Sequence, residues 1–293
     1  MRKIDYTIPE SFNNQKIYNF LRGYIHLSLH TTRALKRVPD GILLNGESAR
    51  TIDIAHTGDI LTLNMPDDGK SPIPRDYPLD IIYEDDDLLI INKPGTLAMH
   101  ESHNHQGDTL ANAVAGYLEK KGKSCTFRAI GRLDKGTSGV VVCALNAHAA
   151  ARLSGKIQKQ YLAITTGKYT ESGTVDKPIF RPDPMKTYRT ADDRGDRAVT
   201  HYTPLEYGEN YSLLRISLET GRTHQIRVHF AFLGTPLYGD TMYGTKRDDI
   251  CHQALHCENV IFTHPITNEE ISLKAEMPSE MKELLEKLRK ENK

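Results

Sequence analysis

The chain has no tryptophan, only 4 cysteines in 293 residues, and no excess charge, with 38 Lys and Arg against 38 Asp and Glu. Four scattered cysteines (Cys125, Cys143, Cys251, Cys257) are too few for a small disulfide-stapled scaffold. No run of ~18 apolar residues occurs, so a membrane-spanning helix of ordinary length is not expected. The opening residues, MRKIDYTIPESF, lack the apolar stretch of a secretion signal. Together these absences lead us to expect a soluble, reduced, cytoplasmic protein. The zero net charge argues against a uniformly basic polyanion binder. Phosphate binding, however, depends on local clusters rather than on totals. From Gly131 to Thr200 there are 12 Lys and Arg against 7 Asp and Glu, a local excess of five.

What is present reads as two units. Met65 to Pro78, MPDDGKSPIPRDYP, holds four prolines and little apolar content. Proline fixes φ and removes a donor, so this stretch reads as a linker (65–78) between residues 1–64 and 79–293. In the first unit Ile17, Phe20, Leu21 and Tyr24 have helical spacing. Thr31 and Thr32 are candidate caps of a second helix whose Arg33, Lys36 and Arg37 would share one face. Gly41 to Gly46 reads as a strand entering an Asn-Gly turn, and Gly58-Asp59 as a turn before the strand Ile-Leu-Thr-Leu. The basic second helix, the ILLNGESA hairpin and the GDIL turn resemble the S4 RNA-binding domain, although the usual Arg-Leu-Asp opening of its first helix is replaced by Gln15-Lys16-Ile17.

In the second unit DIIYEDDDLLIINKP predicts two strands around an acidic turn, and GDTLANAVAGYLEKKG a helix stopped by Gly122. SGVVVCAL, KQYLAITTGKY and YSLLRISLETG predict strands. NAHAAARLSGKIQ, THQIRVHFAFLG and the amphipathic stretch Glu276 to Lys290 predict helices, the last docking on its own domain. Helices and strands do not alternate regularly, so the fold class is α+β with a mixed, largely antiparallel sheet.

Chemistry concentrates in Gly131-Arg132-Leu133-Asp134-Lys135-Gly136-Thr137-Ser138-Gly139. Two cations flank a carboxylate and favour its ionised form. An ionised, positioned carboxylate suits a nucleophile better than a general acid. Ser138 lacks the G-x-S-x-G frame of a nucleophile elbow. Local chemistry alone leaves open a loop Asp that merely bonds its own turn.

GRLDKGTSG resembles the H-R-L-D-x-x-T-S-G motif of the large-subunit (RluA-type) pseudouridine synthases. IINKPGTLAMH, KQYLAITTG, TGRTHQIRVHFAFLGTPLYGDTMYG and ALHCENVIFTHP resemble that family's other motifs in the same order, across most of residues 80–275. The resemblance implies the pseudouridine synthase fold plus a small α/β S4-like domain, and the isomerisation of specific uridines in ribosomal or transfer RNA. It implies Asp134 as the essential aspartate, Tyr161 as the aromatic stacked on the target base and a participant in proton removal, and Arg222 as the ion-pair partner of Asp134. It places Arg132, Lys159 and Thr137 against substrate, as the S4-like reading does Arg33, Lys36 and Arg37. Asp134 would attack ribose C1′, assist glycal formation, or attack uracil C6; the sequence does not choose. No cofactor or metal is called for, the isomerisation being redox-neutral, and a monomer is expected. Gly131 stands where the family usually has His, which alters loop rigidity and the expected substrate preference; Cys257, where Ala is common, is expected to be a small buried hydrophobe.

Three other readings fit the sequence less well. His100, His103 and His105, and the Cys251-His252 and His256-Cys257 doublets, lack zinc-ligand spacing, and His224 and His229 have poor ligand geometry and read as structural. A glycoside hydrolase would need a second catalytic carboxylate in a comparable motif, and none recurs. A catalytically silent RNA-binding protein is disfavoured by the joint presence of Asp134, Tyr161 and Arg222.

Overall fold

The structure, a computed structural model, describes residues 2–66, 71–102, 106–123 and 126–292. Part of the linker, and His103, His105 and Cys125, lie outside the described residues.

The N-terminal unit comprises β1 (Arg2–Thr7), α1 (Ile17–Gly23), α2 (Leu29–Leu35), β2 (Ile42–Leu44), β3 (Glu47–Ser48) and β4 (Ile60–Met65). Its strands form an antiparallel sheet in the order β1-β4-β2-β3. Asn45 and Gly46 both take positive φ, 52° and 87°, the conformation of the two-residue hairpin turn that Asn-Gly signals. The second helix is capped earlier than the sequence suggests. Ser28 is its N-cap, its hydroxyl accepting from the Thr31 N–H at 3.0 Å, while Thr31 and Thr32 lie buried inside the helix. The helix is regular to Leu35, and Lys36 and Arg37 form its closing turn, with Arg33, Lys36 and Arg37 all exposed. Ile17, Phe20 and Leu21 face inward and pack with Ile4, Leu61 and Leu63 in a separate small core.

The second unit contains β5 (Asp80–Glu84), β6 (Leu88–Lys93), α3 (Leu110–Lys120), β7 (Ser138–Ala144), α4 (Ala147–Leu153), β8 (Gln158–Thr166), β9 (Gly173–Asp176), β10 (Val199–Tyr207), β11 (Tyr211–Leu218), α5 (Gln225–Phe232), β12 (Leu255–Thr263), β13 (Glu270–Lys274) and α6 (Ser279–Glu291). The sheet runs β9-β10-β11-β8-β12-β7-β6-β5, with β13 on β12 and the short strand Arg128–Ala129 on β7. Every pairing is antiparallel except β7 with β12, which is parallel at Ser138–His256 and Gly139–Cys257. This is the mixed, largely antiparallel sheet that the α+β reading anticipates. At Gly139 the backbone has φ +109°, and a Cβ would stand 2.2 Å from the Cys257 carbonyl oxygen, so only glycine lets the parallel partner approach.

Alternation along β8 covers both faces of the sheet. Tyr161 and Ala163 join the main core with Val140 to Val142, Ile226 and Phe230. Leu162 and Ile164 face the other way, onto Met281, Leu284, Leu285 and Leu288 of α6. That helix docks on its own domain, and the four residues contribute about 1.5–3 kcal/mol each through burial.

The stretch before β5 is strapped to α3: Ile73 carbonyl accepts from Asn112 Nδ2 at 2.9 Å and Arg75 N–H donates to Asn112 carbonyl at 3.0 Å. The two units also meet at Asp87, which is 3% exposed. It accepts from Arg2 Nε at 3.1 Å and Nη2 at 2.9 Å, and from Asn146 Nδ2 at 2.7 Å. Alongside, the Tyr6 hydroxyl and His148 Nε2 are hydrogen-bonded at 3.3 Å. Among the described residues no helix is long and apolar enough to cross a membrane.

Candidate active site

Sheet order brings the site together. Tyr161 pairs with Cys257, and Cys257 with Gly139, so three adjacent strands carry these residues in one row. Two strand spacings span about 10 Å, and Asp134 lies on the loop that enters β7 five residues before Gly139. The loop is pinned from behind. Thr137 N–H donates to the Asp134 carbonyl at 3.0 Å, and Gly136 N–H to the Gly95 carbonyl at 2.8 Å. Gln253 Nε2 donates to the Lys135 carbonyl at 2.9 Å and to Thr137 Oγ1 at 3.1 Å. The Thr137 hydroxyl is therefore engaged inside the protein, although the residue lines the cleft.

A register shift between Gln160 and Tyr161 leaves Glu258 as the extra residue opposite them. Such a bulge bends the strand that carries it, and Tyr161, beside it on the partner strand, is 7% exposed. Burial, then the proximity of Cys257 and Asp134, holds its phenol well above the ordinary value.

The third wall is the turn into α5. Arg227 lies between Ile226 and Val228 on a helix that is buried nearly all round. Its guanidinium is 7% exposed and grips Asp240 with two bonds, Nε to Oδ2 at 2.7 Å and Nη2 to Oδ1 at 2.8 Å. Burial opposes this cation, and the Asp240 bonds overcome that and raise its pKa. The remaining nitrogen, Nη1, stands 3.5 Å from Asp134 Oδ2. His224 Nε2 is 3.8 Å from the same oxygen. This corrects the expected ion pair of Arg222 with Asp134. Arg222 lines the cleft, but its Nη1 pairs with Asp196 at 3.2 Å and its Nε donates to the Arg197 carbonyl at 3.1 Å. Arg222 precedes α5 and points outward; Arg227, more than one turn later, points in. Arg132, Asp134, Thr137, Tyr161, Arg222, His224 and Arg227 line one cleft with about 370 Å³ of empty space.

A sequence model of the RNA pseudouridylate synthase family matches residues 87–232. An RNA pseudouridine synthase of Bacillus subtilis, YlyB, is 34% identical over 302 residues, covering 99% of both chains. A second one from that organism, YjbO, is 36% identical and covers 90% of this chain and 96% of its own. The ribosomal large subunit pseudouridine synthase D of Escherichia coli is 37% identical over 74% of this chain and 72% of its own. The chain belongs to the RNA pseudouridine synthase family. Human RNA pseudouridylate synthase domain containing 4 shares the fold, with a TM-score of 0.57 at 24% identity over 71% of this chain and 92% of that one. As a member of this family the protein is an isomerase that converts uridine in RNA to pseudouridine.

Other anticipated positions in this synthase fall outside the cleft. Lys159 sits behind the loop that carries Asp134, its ammonium donating to the Gly131 carbonyl at 3.1 Å, and burial pushes its pKa down. Gly131 has φ +74°, and a Cβ there would be 3.1 Å from Lys159 Nζ, so the glycine and the lysine fit each other. Lys36 lines a separate groove with Arg50 on the N-terminal unit. Cys257 is fully buried, as its small size suggests. His256 is structural, its Nε2–H donating to the Ala275 carbonyl at 3.0 Å while Nδ1 meets Ser138 Oγ at 2.9 Å. Among the described residues no three His, Cys, Asp or Glu side chains converge as metal ligands do.

Sequence reasoning missed Lys93. It is completely buried, donates to the Pro94 carbonyl at 2.9 Å and the Leu97 carbonyl at 2.8 Å, and burial lowers its pKa to about 7 against the pull of Asp134. Arg227 was missed too, although an arginine between Ile226 and Val228 in a helix with apolar spacing needs a buried partner.

Proposed function

We propose that Asp134 is the reacting carboxylate, acting on a uridine lifted from structured ribosomal or transfer RNA and laid against Tyr161. The observation that carries this is the single cleft shared by Asp134, Tyr161 and Arg227. A uridine stacked in a helix exposes neither C1′ nor both faces of its ring, so the nucleotide must be extruded at a cost of a few kcal/mol. Stacking on Tyr161 returns about 1–3 kcal/mol. The raised pKa keeps Tyr161 a neutral phenol near pH 7, which suits it to stacking and hydrogen bonding rather than to service as a phenolate base. Arg227, immobilised by Asp240, orients the Asp134 carboxylate.

Beside the catalytic cleft lies a second one of about 850 Å³, lined by Arg181, Arg189, Arg194 and the shared Arg222. Burial, then the charges of Arg181 and Arg132, holds Arg189 below its usual pKa. Four guanidiniums facing one space suit the phosphates flanking an extruded nucleotide, and binding of this kind weakens steeply with salt. The N-terminal unit, read as an S4-like RNA-binding domain, extends the grip through Arg33, Lys36 and Arg37. The protein works as a monomer in the cytoplasm on this reading.

The test uses transcripts of bacterial large-subunit ribosomal RNA and of transfer RNAs carrying tritium at uracil C5. Isomerisation replaces that C–H bond and releases tritium to water. The wild-type protein is expected to release it, and Asp134→Asn to bind the same RNA without release. Equal release by Asp134→Asn would refute the role of Asp134.

A further inference from the structure

Resting on the reading of Asp134 above, we infer that His224 is a positioning residue for that carboxylate, delivered to it by strained backbone and held in one tautomer by Tyr243. His224 immediately precedes α5 with φ +59° and ψ 19°. That is the left-handed region, which a side chain other than Gly, Asn or Asp enters at a penalty. Outliers of this kind persist where the surroundings enforce them. Here the strained turn sets the imidazole edge between two partners. Nδ1 lies 2.8 Å from the Tyr243 hydroxyl, and Nε2 lies 3.8 Å from Asp134 Oδ2.

The tautomer follows from the partners. An anionic Asp134 has no proton to offer, so the nitrogen facing it carries the hydrogen, and Nδ1 accepts from Tyr243 O–H. Tyr243 is itself fixed: its oxygen accepts from Arg189 N–H at 2.9 Å, its ring stacks on Tyr188, and Arg227 lies over its face at 5.0 Å. One tyrosine thus supports both groups that approach Asp134. The 3.8 Å gap closes by about 1 Å to reach bonding distance, as catalytic contacts often tighten once substrate is bound.

The neutral form is the working one. Burial lowers the His224 pKa first; Asp134 and Asp240 pull it up, and Arg227 and Arg189 push it down. A protonated imidazole would pair fully with the carboxylate and blunt its reactivity.

The experiment measures kcat, KM and their pH profiles by tritium release from the same C5-labelled ribosomal and transfer RNA transcripts, with thermal melts as the check on folding. His224→Gln keeps an N–H donor at the reach of Nε2. His224→Asn suits the left-handed backbone and reaches Tyr243, but not Asp134. Losing one donor to a charged acceptor lowers kcat about 10- to 150-fold. We therefore expect that loss in His224→Asn with KM little changed, and substantial retention in His224→Gln. Tyr243→Phe removes the donor that stabilises neutral imidazole, so the acid limb of the profile moves to higher pH. Activity retained by Asn but lost in Gln, or an unmoved acid limb in Tyr243→Phe, would overturn the inference. If the wild-type protein released no tritium, the reading of Asp134 would fail first and this inference with it.

Discussion

Replacing Arg227 by lysine keeps the charge and removes the planar fork. A single ammonium cannot hold both oxygens of Asp240 and still reach Asp134, 3.5 Å from Nη1. A hydrogen bond to a charged group contributes about 1.5–3 kcal/mol, and each 1.36 kcal/mol is about tenfold in rate. Arg227→Lys should therefore lower single-turnover kcat about 10- to 150-fold and leave RNA affinity nearly unchanged. Arg222→Lys is the matched comparison. Its ion pair with Asp196 joins side chains 43% and 73% exposed, and such pairs are worth about 0–1 kcal/mol. Its kcat should change by about fivefold at most, with any larger effect appearing as weaker, more salt-sensitive RNA binding. The assay is tritium release under saturating enzyme, below the melting temperature of both variants. A 10- to 150-fold loss of kcat in Arg222→Lys, with Arg227→Lys near wild type, would refute the geometric assignment.

Three further outcomes follow from buried groups and backbone. The pKa of Lys93 falls to about 7 in the folded protein, against about 10.4 unfolded. Between those values the unfolded chain binds the extra proton, so stability rises with pH by up to about 1.4 kcal/mol per unit. Lys93→Met removes this slope, so its stability relative to wild type should decline from pH 7 to 10; a constant difference in melts would contradict the burial argument. His148 is lowered to about 4 by burial, so as pH falls from about 6.5 to 4 the unfolded state takes up the proton first and stability is lost, by about 3 kcal/mol. Urea titrations of wild type and His148→Gln at pH 7 and 4.5 should show the smaller loss in the variant, and equal losses would count against it. Gly131→Ala forces φ +74° on a residue with a Cβ beside Lys159 Nζ. It should destabilise by about 1–3 kcal/mol and lower kcat by displacing the loop; a melting temperature at or above wild type would show that the loop has other conformations.

Much of this architecture was legible because local chemistry dictates it. The β-branched run Val140 to Val142 forms the buried β7, and Asn45-Gly46 makes the hairpin turn. Asp134 and Tyr161 were found through motif order, and sheet pairing then brought them together. Three features were hidden because they depend on partners distant in sequence. β1 exists through pairing with β4 some 60 residues away, and its own alternation is weak. The bulge at Glu258 opposite Gln160 and Tyr161 is a matter of register, which no window of sequence reveals. Arg227, rather than Arg222, approaches Asp134 because Asp240, outside α5, holds its guanidinium in place. The capping error at Thr31 has a simpler cause: Ser28 was an equally good cap three residues earlier.

The central claim is that this carboxylate rearranges uridines in RNA. The most direct measurement takes RNA from a host lacking the gene, incubates it with purified protein, and maps pseudouridine at nucleotide resolution. The wild-type protein should restore a small, defined set of sites, and Asp134→Asn should restore none while still binding that RNA. An unchanged map with wild-type protein, or the same sites restored by Asp134→Asn, would contradict the account.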